Sequence, residues 1–103
     1  MSQQVAQTIL AQLGGRQFML MVNAKNLVSL SGDGGLALQF GTGAKNKANR
    51  LRVEYDYGSD TYNVEFGKIR KLEWNTISRH EGIYADMLQE LFTAETGFYT
   101  TLR

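Results

Sequence analysis

The chain has 103 residues, 43% of them hydrophobic, with a net charge of +1 and neither cysteine nor proline. This length suits a single domain over 1–103, and the apolar fraction is too high for a disordered chain. The missing cysteines exclude a disulfide framework and a cysteine-ligated metal site, and the small net charge argues against a uniformly basic surface while leaving room for a local patch.

The N-terminal run MSQQVAQTILAQL lacks the basic start and long apolar core of a signal peptide, and no stretch approaches the roughly 20 apolar residues of a membrane span. The expected location is the cytoplasm, without membrane attachment. Ser2 is placed to cap a first helix, whose apolar stripe is Val5, Ala6, Ile9, Leu10 and Leu13. Gly14-Gly15 is expected to end it, because glycine takes the left-handed position after a helix at little cost.

Phe18, Leu20 and Val22 alternate with Met19 and Met21, which reads as a strand apolar on both faces. Asn23 to Asn26 reads as a turn, and Val28 and Leu30 begin a second strand. Gly32-Asp33-Gly34-Gly35 is a further turn, out of which Leu36, Leu38 and Phe40 alternate. The segment GTGAKNKANR, residues 41–50, has no periodicity and reads as the longest flexible connection, a common place for function.

The clearest element is the hairpin LRVEYDYGSDTYNVEF, Leu51 to Phe66. Apolar Leu51, Val53, Tyr55 and Tyr57 alternate with polar residues, as do Tyr62, Val64 and Phe66, and Gly58-Ser59 suits a two-residue type II′ loop. That register places Tyr55 opposite Tyr62, Val53 opposite Val64, and Arg52 opposite Glu65. A longer loop would set Glu54 against Glu65, which like-charge repulsion disfavours. Leu72, Trp74 and Thr76 then share one face of a last strand, with an irregularity near Ile69. Tyr55, Tyr57, Tyr62 and Trp74 are expected on the core face.

Ser78 to Gly82 reads as a polar link. Ile83, Tyr84, Met87, Leu88, Leu91 and Phe92 follow at helical spacing. Met87, Leu88 and Leu91 are expected to face the sheet, with Phe92 at the edge of the stripe. Gly97 suits the helix end, Phe98 can pack back on the last turn, and the tail YTTLR would add a strand or lie on the sheet. The fold class is therefore α+β: an antiparallel meander sheet of five or six strands, with an N-terminal and a C-terminal helix packed on one face.

No catalytic constellation emerges. GTGAKNK departs from the phosphate-loop pattern, because its second glycine and its lysine are not adjacent and no helix pattern follows. His80, the one histidine, lies between Arg79 and Glu81 and reads as solvated. Asp33 lacks the spaced acidic ligands of a calcium loop. Ser29, Ser59 and Ser78 sit in no nucleophile elbow. Glu54, Asp56 and Glu65 share a sheet face on which Arg52 offsets part of their charge. No cofactor and no metal are expected.

Two basic clusters remain: Lys45, Lys47, Arg50 and Arg52 in and just after the loop, and Lys68, Arg70 and Lys71 at the start of the last strand. The hairpin brings both towards one edge of the sheet, where they could contact phosphates.

Leu13-Gly14-Gly15, Phe18, Ala24-Lys25-Asn26, DTYNVEFGKIR (Asp60 to Arg70) and YADMLQELFTAETGFYT (Tyr84 to Thr100) together resemble a family of small uncharacterised proteins of bacteriophages and other mobile elements. The resemblance implies a bacterial cytoplasmic setting and carries over no functional residue. Two functions follow as expectations. The first is a non-catalytic accessory protein that binds and blocks a host protein, such as a defence component. The alternative is a nucleic-acid-binding protein using the basic loop 41–52, with Lys45, Lys47, Arg50, Arg52, Lys68 and Arg70 as its contacts.

Overall fold

Five antiparallel strands form one open sheet in the order of the sequence: β1 (Lys25–Leu30), β2 (Gly35–Gln39), β3 (Arg50–Asp56), β4 (Thr61–Arg70) and β5 (Glu73–Ile83). With helices α1 (Ser2–Leu13), α2 (Gly15–Val22) and α3 (Leu88–Thr96), they make an α+β fold. This computed structural model describes residues 2–100, Ser2 and Gln3 by backbone alone. The Ser2 cap and residues 101–103 of the tail therefore lie outside the described residues.

Strand alternation sends Leu36, Leu38, Leu51, Val53, Tyr62, Val64 and Phe66 to one face, where they meet Ile9 and Leu13 of α1, Phe18 and Val22 of α2, and Leu88 and Phe92 of α3. Each such side chain stabilises the fold by about 1.5–3 kcal/mol on burial. Among the described residues, nothing comparable covers the opposite face, which carries Val28, Ala37, Arg50, Arg52, Glu54, Glu65 and Gly67.

The central hairpin has the expected register, with Tyr55 opposite Tyr62, Val53 opposite Val64 and Arg52 opposite Glu65. Its loop differs. Four residues, Tyr57 to Asp60, close it, and the positive φ of 54° falls on Asp60 rather than Gly58. Aspartate tolerates that conformation because its side chain bonds locally. Here it accepts from the Tyr55 hydroxyl at 2.7 Å.

Three expectations are corrected. Phe18 to Val22 is helical, not a strand: the run FMLMV fits either period, and the structure buries Phe18 and Val22, four residues apart, while leaving Leu20 73% exposed. Gly14 (φ 127°) and Gly15 (φ 61°) separate two helices, and Asn23 caps the second with a left-handed φ of 57°. Secondly, the polar link Ser78 to Gly82 belongs to β5, which continues to Ile83 through bulges that shift the alternation. His80 is consequently turned inward, edge-on to Phe66 at 6.3 Å, rather than solvated. Thirdly, α3 starts at Leu88 after a 3-10 turn at Ala85–Met87, so its buried stripe is Leu88, Phe92 and Thr96. Met87 is exposed and Leu91 half-buried, and Phe92 is central rather than marginal.

Candidate nucleic-acid interface

Cross-strand register assembles the site. Lys25 pairs with Gln39, Gln39 with Arg50, and Arg50 with Gly67, so these residues form one row across the end of the sheet. Loop 40–49 is fastened to that row and is not the flexible connection its composition suggests. Phe40 N donates to Asn49 O at 3.0 Å, Asn49 N to Gly67 O at 3.0 Å, and Lys45 N to Thr96 O at 2.8 Å. Ala44 and Ala48 are buried beneath it.

Beyond the row, β4 and β5 continue alone through Lys68–Asn75, Ile69–Trp74 and Arg70–Glu73, turning at Lys71-Leu72. Lys25, Lys45, Lys47, Arg50, Lys68, Arg70 and Lys71 therefore converge on one end, seven of the eleven Lys and Arg. The opposite end carries Asp33, Asp56 and Asp60 in or beside two turns joined by Tyr57 N donating to Asp33 Oδ2. Seven residues of β3 separate the ends by roughly 20 Å at strand rise. The chain is nearly neutral, and most of its cations lie at one end, where Glu73 opposite Arg70 is an acidic exception.

The six expected contact residues are not on one surface. Lys47 and Lys68 line a common cleft of about 200 Å³ with Thr42, Gly43 and Asn49. Lys45 and Arg70 are exposed nearby. Arg50 faces the open side of the sheet, in a cleft of about 220 Å³ with Val28, Ala37, Ile69 and Trp74. Arg52 lies one alternation further in, its guanidinium 3.5 Å from Glu54 in a solvent-exposed pair. Lys25 was missed, because Asn23 to Asn26 reads as a turn and only the β1–β2–β3 register carries Lys25 to the basic end.

The aromatic side chains also depart from expectation. Tyr62 is buried, but Tyr57 is 76% exposed and Trp74 37% exposed. The indole lies flat over Gly67 on the open face, where an added Cβ would come within 2.4 Å of Trp74 Cζ2. Trp74 Nε1 donates to Glu65 Oε2 at 2.8 Å, Thr76 Oγ1 donates to the same oxygen, and Arg79 Nη1 lies 3.4 Å from Glu65 Oε1. Burial alone would raise the Glu65 pKa. The hydrogen bonds from Thr76 and Trp74, with the charge of Arg79 and Arg52, outweigh it and hold the carboxyl below its usual range.

A second polar cluster braces α3. Glu95 accepts from Ser78 Oγ and from Asn46 Nδ2 (3.1 Å), with His80 Nε2 3.5 Å from its other oxygen, too poorly aligned to count as a hydrogen bond. Burial would push this carboxyl up, but the Ser78 and Asn46 hydrogen bonds and the neighbouring His80 bring it below its usual range. Ser78 donates to the carboxylate and not to the imidazole, which is the wrong order for a histidine base to activate a serine. Among the described residues, no group of three or more His, Cys, Asp or Glu is placed to hold a metal ion, and no helix is long and apolar enough to cross a membrane. Compared with known proteins, the chain matches no family model, no curated protein and no solved structure.

Proposed function

We propose that the protein is a non-catalytic accessory protein that binds nucleic acid through its basic end, in the bacterial cytoplasmic setting of phages and mobile elements. The observation that carries this reading is the sorting of charge: seven cations gather at one end of a molecule whose net charge is +1. Lys45, Lys47, Lys68 and Arg70, with Lys25 and Lys71, contact phosphates. Arg50 approaches from the open face, and Arg52 contributes least because it lies further from the basic end and beside the Glu54 carboxylate. Phosphate contacts supply affinity and position without reading sequence.

Fluorescence anisotropy with single- and double-stranded DNA and RNA across a salt series tests the reading. Each lost phosphate contact lowers the slope of log affinity against log salt by nearly one. Lys45→Glu with Lys47→Glu should therefore remove about two from the slope. No binding at low salt, or a slope unchanged by the two reversals, overturns it.

A second reading, binding and blocking a host protein such as a defence component, is favoured by Leu20 of α2, a large apolar side chain left 73% exposed. A nuclease-treated pull-down from host lysate separates the two. A stoichiometric protein partner lost on Leu20→Glu supports the second reading, and recovery only without nuclease supports the first.

A further inference from the structure

The cleft between loop 40–49 and β4 holds more hydrogen-bond donors than the fold uses. Thr42, Gly43 and Ala44 follow one another along its wall, and none of their backbone N–H groups bonds to another described residue. The N–H groups on either side are taken: Gly41 N donates to Val22 O at 2.9 Å and Lys45 N to Thr96 O at 2.8 Å. Ala44 is buried, and a buried N–H is normally paired. Asn49 Oδ1 accepts from Ile69 N at 3.2 Å, which fixes the carboxamide and leaves its Nδ2 without a partner among the described residues. The Thr42 hydroxyl and the ammonium groups of Lys47 and Lys68 share the same cleft, and no carboxylate lines it.

Donors without acceptors, in a site with positive charge and no negative charge, are the complement of an oxyanion. Successive unpaired N–H groups are the elements of the backbone concavities that hold phosphate, and Gly43, at a φ of 97°, supplies the conformation they need. The bonds that fasten the loop hold these donors in place before a ligand arrives, which lowers the ordering cost of binding. The kind of phosphate follows from charge and connectivity. A diester inside a strand has two free oxygens and one charge, and the chain must leave it in two directions. A phosphate monoester has three free oxygens and a charge of about −1.5 to −2, and its chain leaves in one direction. Two ammonium groups match the second charge, and a cleft floored by buried Ala44 and Ala48 suits a group that enters end-on.

Resting on the nucleic-acid reading above, we infer that the cleft between Lys47 and Lys68 binds the terminal phosphate of a nucleic-acid strand. The lysines pair with its charge, and the Thr42 to Ala44 backbone, the Thr42 hydroxyl and Asn49 Nδ2 donate to its oxygens. The other cations of the basic end hold the diesters that follow.

The test is anisotropy of an internally labelled oligonucleotide carrying a 5′-phosphate, a 3′-phosphate, or hydroxyls at both ends. A phosphorylated form should bind at least about tenfold tighter than the hydroxyl form, the worth of one charge-assisted hydrogen bond. Lys47→Gln with Lys68→Gln should abolish that preference. Both side chains are exposed, so the variant should melt with the parent. Lys25→Gln, outside the cleft, should weaken all forms alike and leave the preference in place.

Equal affinity for phosphorylated and hydroxyl ends, or a preference that survives the double substitution, overturns the end-binding cleft and leaves the nucleic-acid reading standing. Displacement of the phosphorylated strand by an equal concentration of inorganic phosphate or of a nucleoside monophosphate also overturns it, because the ligand is then a small molecule. Failure to bind any nucleic acid removes both.

Discussion

Truncating Phe92 should cripple the fold. The ring is 1% exposed and meets Phe18 of α2 at 5.2 Å, Phe40 after β2 at 5.3 Å, and Phe66 of β4 at 6.0 Å. It thus ties α3 to α2 and to the sheet. A buried Phe→Ala change costs about 3–5 kcal/mol, and each aromatic pair is worth about 0.5–1.5 kcal/mol beyond area. Three such pairs keep Phe92→Ala off the lower end, at about 4 kcal/mol, against about 5–15 kcal/mol for a whole domain. At about 4–8 °C per kcal/mol for this size, the melting temperature should fall by about 20 °C. Thermal melts followed by circular dichroism read this directly. Leu91→Ala, at a half-buried position, should lose about 1–2 kcal/mol, and exposed Leu20→Ala less than about 0.5 kcal/mol. A Phe92→Ala melt within a few degrees of the parent, or a larger loss for Leu91→Ala, would refute the packing and return α3 to the stripe its sequence suggests.

Gly67→Ala should force Trp74 off the sheet and break its bond to Glu65, at about 1–3 kcal/mol; because the chain has one tryptophan, a red shift in emission reports it, and an unshifted spectrum counts against the contact. Glu95 titrates below its usual range, so its stabilisation is present above the unfolded carboxyl value of about 4.3 and is lost as pH falls through the folded value. Glu95→Gln should therefore weaken the fold at neutral pH and shallow the acid limb of the stability curve, an outcome denaturant melts between pH 3 and pH 7 would check. The hydrogen bond to Asp60, with smaller contributions from desolvation and nearby charge, pushes the Tyr55 phenol up to about 12. Its contribution is complete below about pH 10 and disappears as pH rises through about 12, so Tyr55→Phe should lose that late component of the parent's tyrosinate absorbance while the other four of its five tyrosines still titrate.

Much of the sheet was legible because period-two alternation and like-charge avoidance depend on neighbours in sequence. The Leu51 to Phe66 register followed from those two facts together with the turn signal at Gly58-Ser59. The Phe18 to Val22 run was not legible in the same way. Five consecutive apolar residues satisfy either period, and what selects the helix is tertiary: Phe18 reaches Phe92, 74 positions away, only if it shares a face with Val22. Loop 41–50 was misread for a related reason. Its composition is that of a mobile segment, but its anchors, Thr96 O, Gly67 O and Glu95, all lie on other elements.

The candidate site was the least legible part, and the reason is geometric. Its cations come from separate stretches, around residues 25, 45–50 and 68–71, and only antiparallel pairing decides which stretch ends coincide. Arg50 and Arg52 look equivalent in sequence, yet one alternation inward is enough to set Arg52 beside Glu54 while Arg50 stays at the rim. The same geometry keeps the site apart from the core. None of the seven cations at the basic end is buried, so none carries packing. Lys45→Glu and Lys47→Glu should then change stability by no more than about 0.5 kcal/mol each, and relief of like-charge repulsion would favour the variants. A loss of nucleic-acid affinity in proteins that melt with the parent would therefore be a loss of the surface itself. If instead the two reversals unfold the chain, loop 41–50 holds the fold through its lysine side chains, and the basic end is a structural feature before it is a binding one.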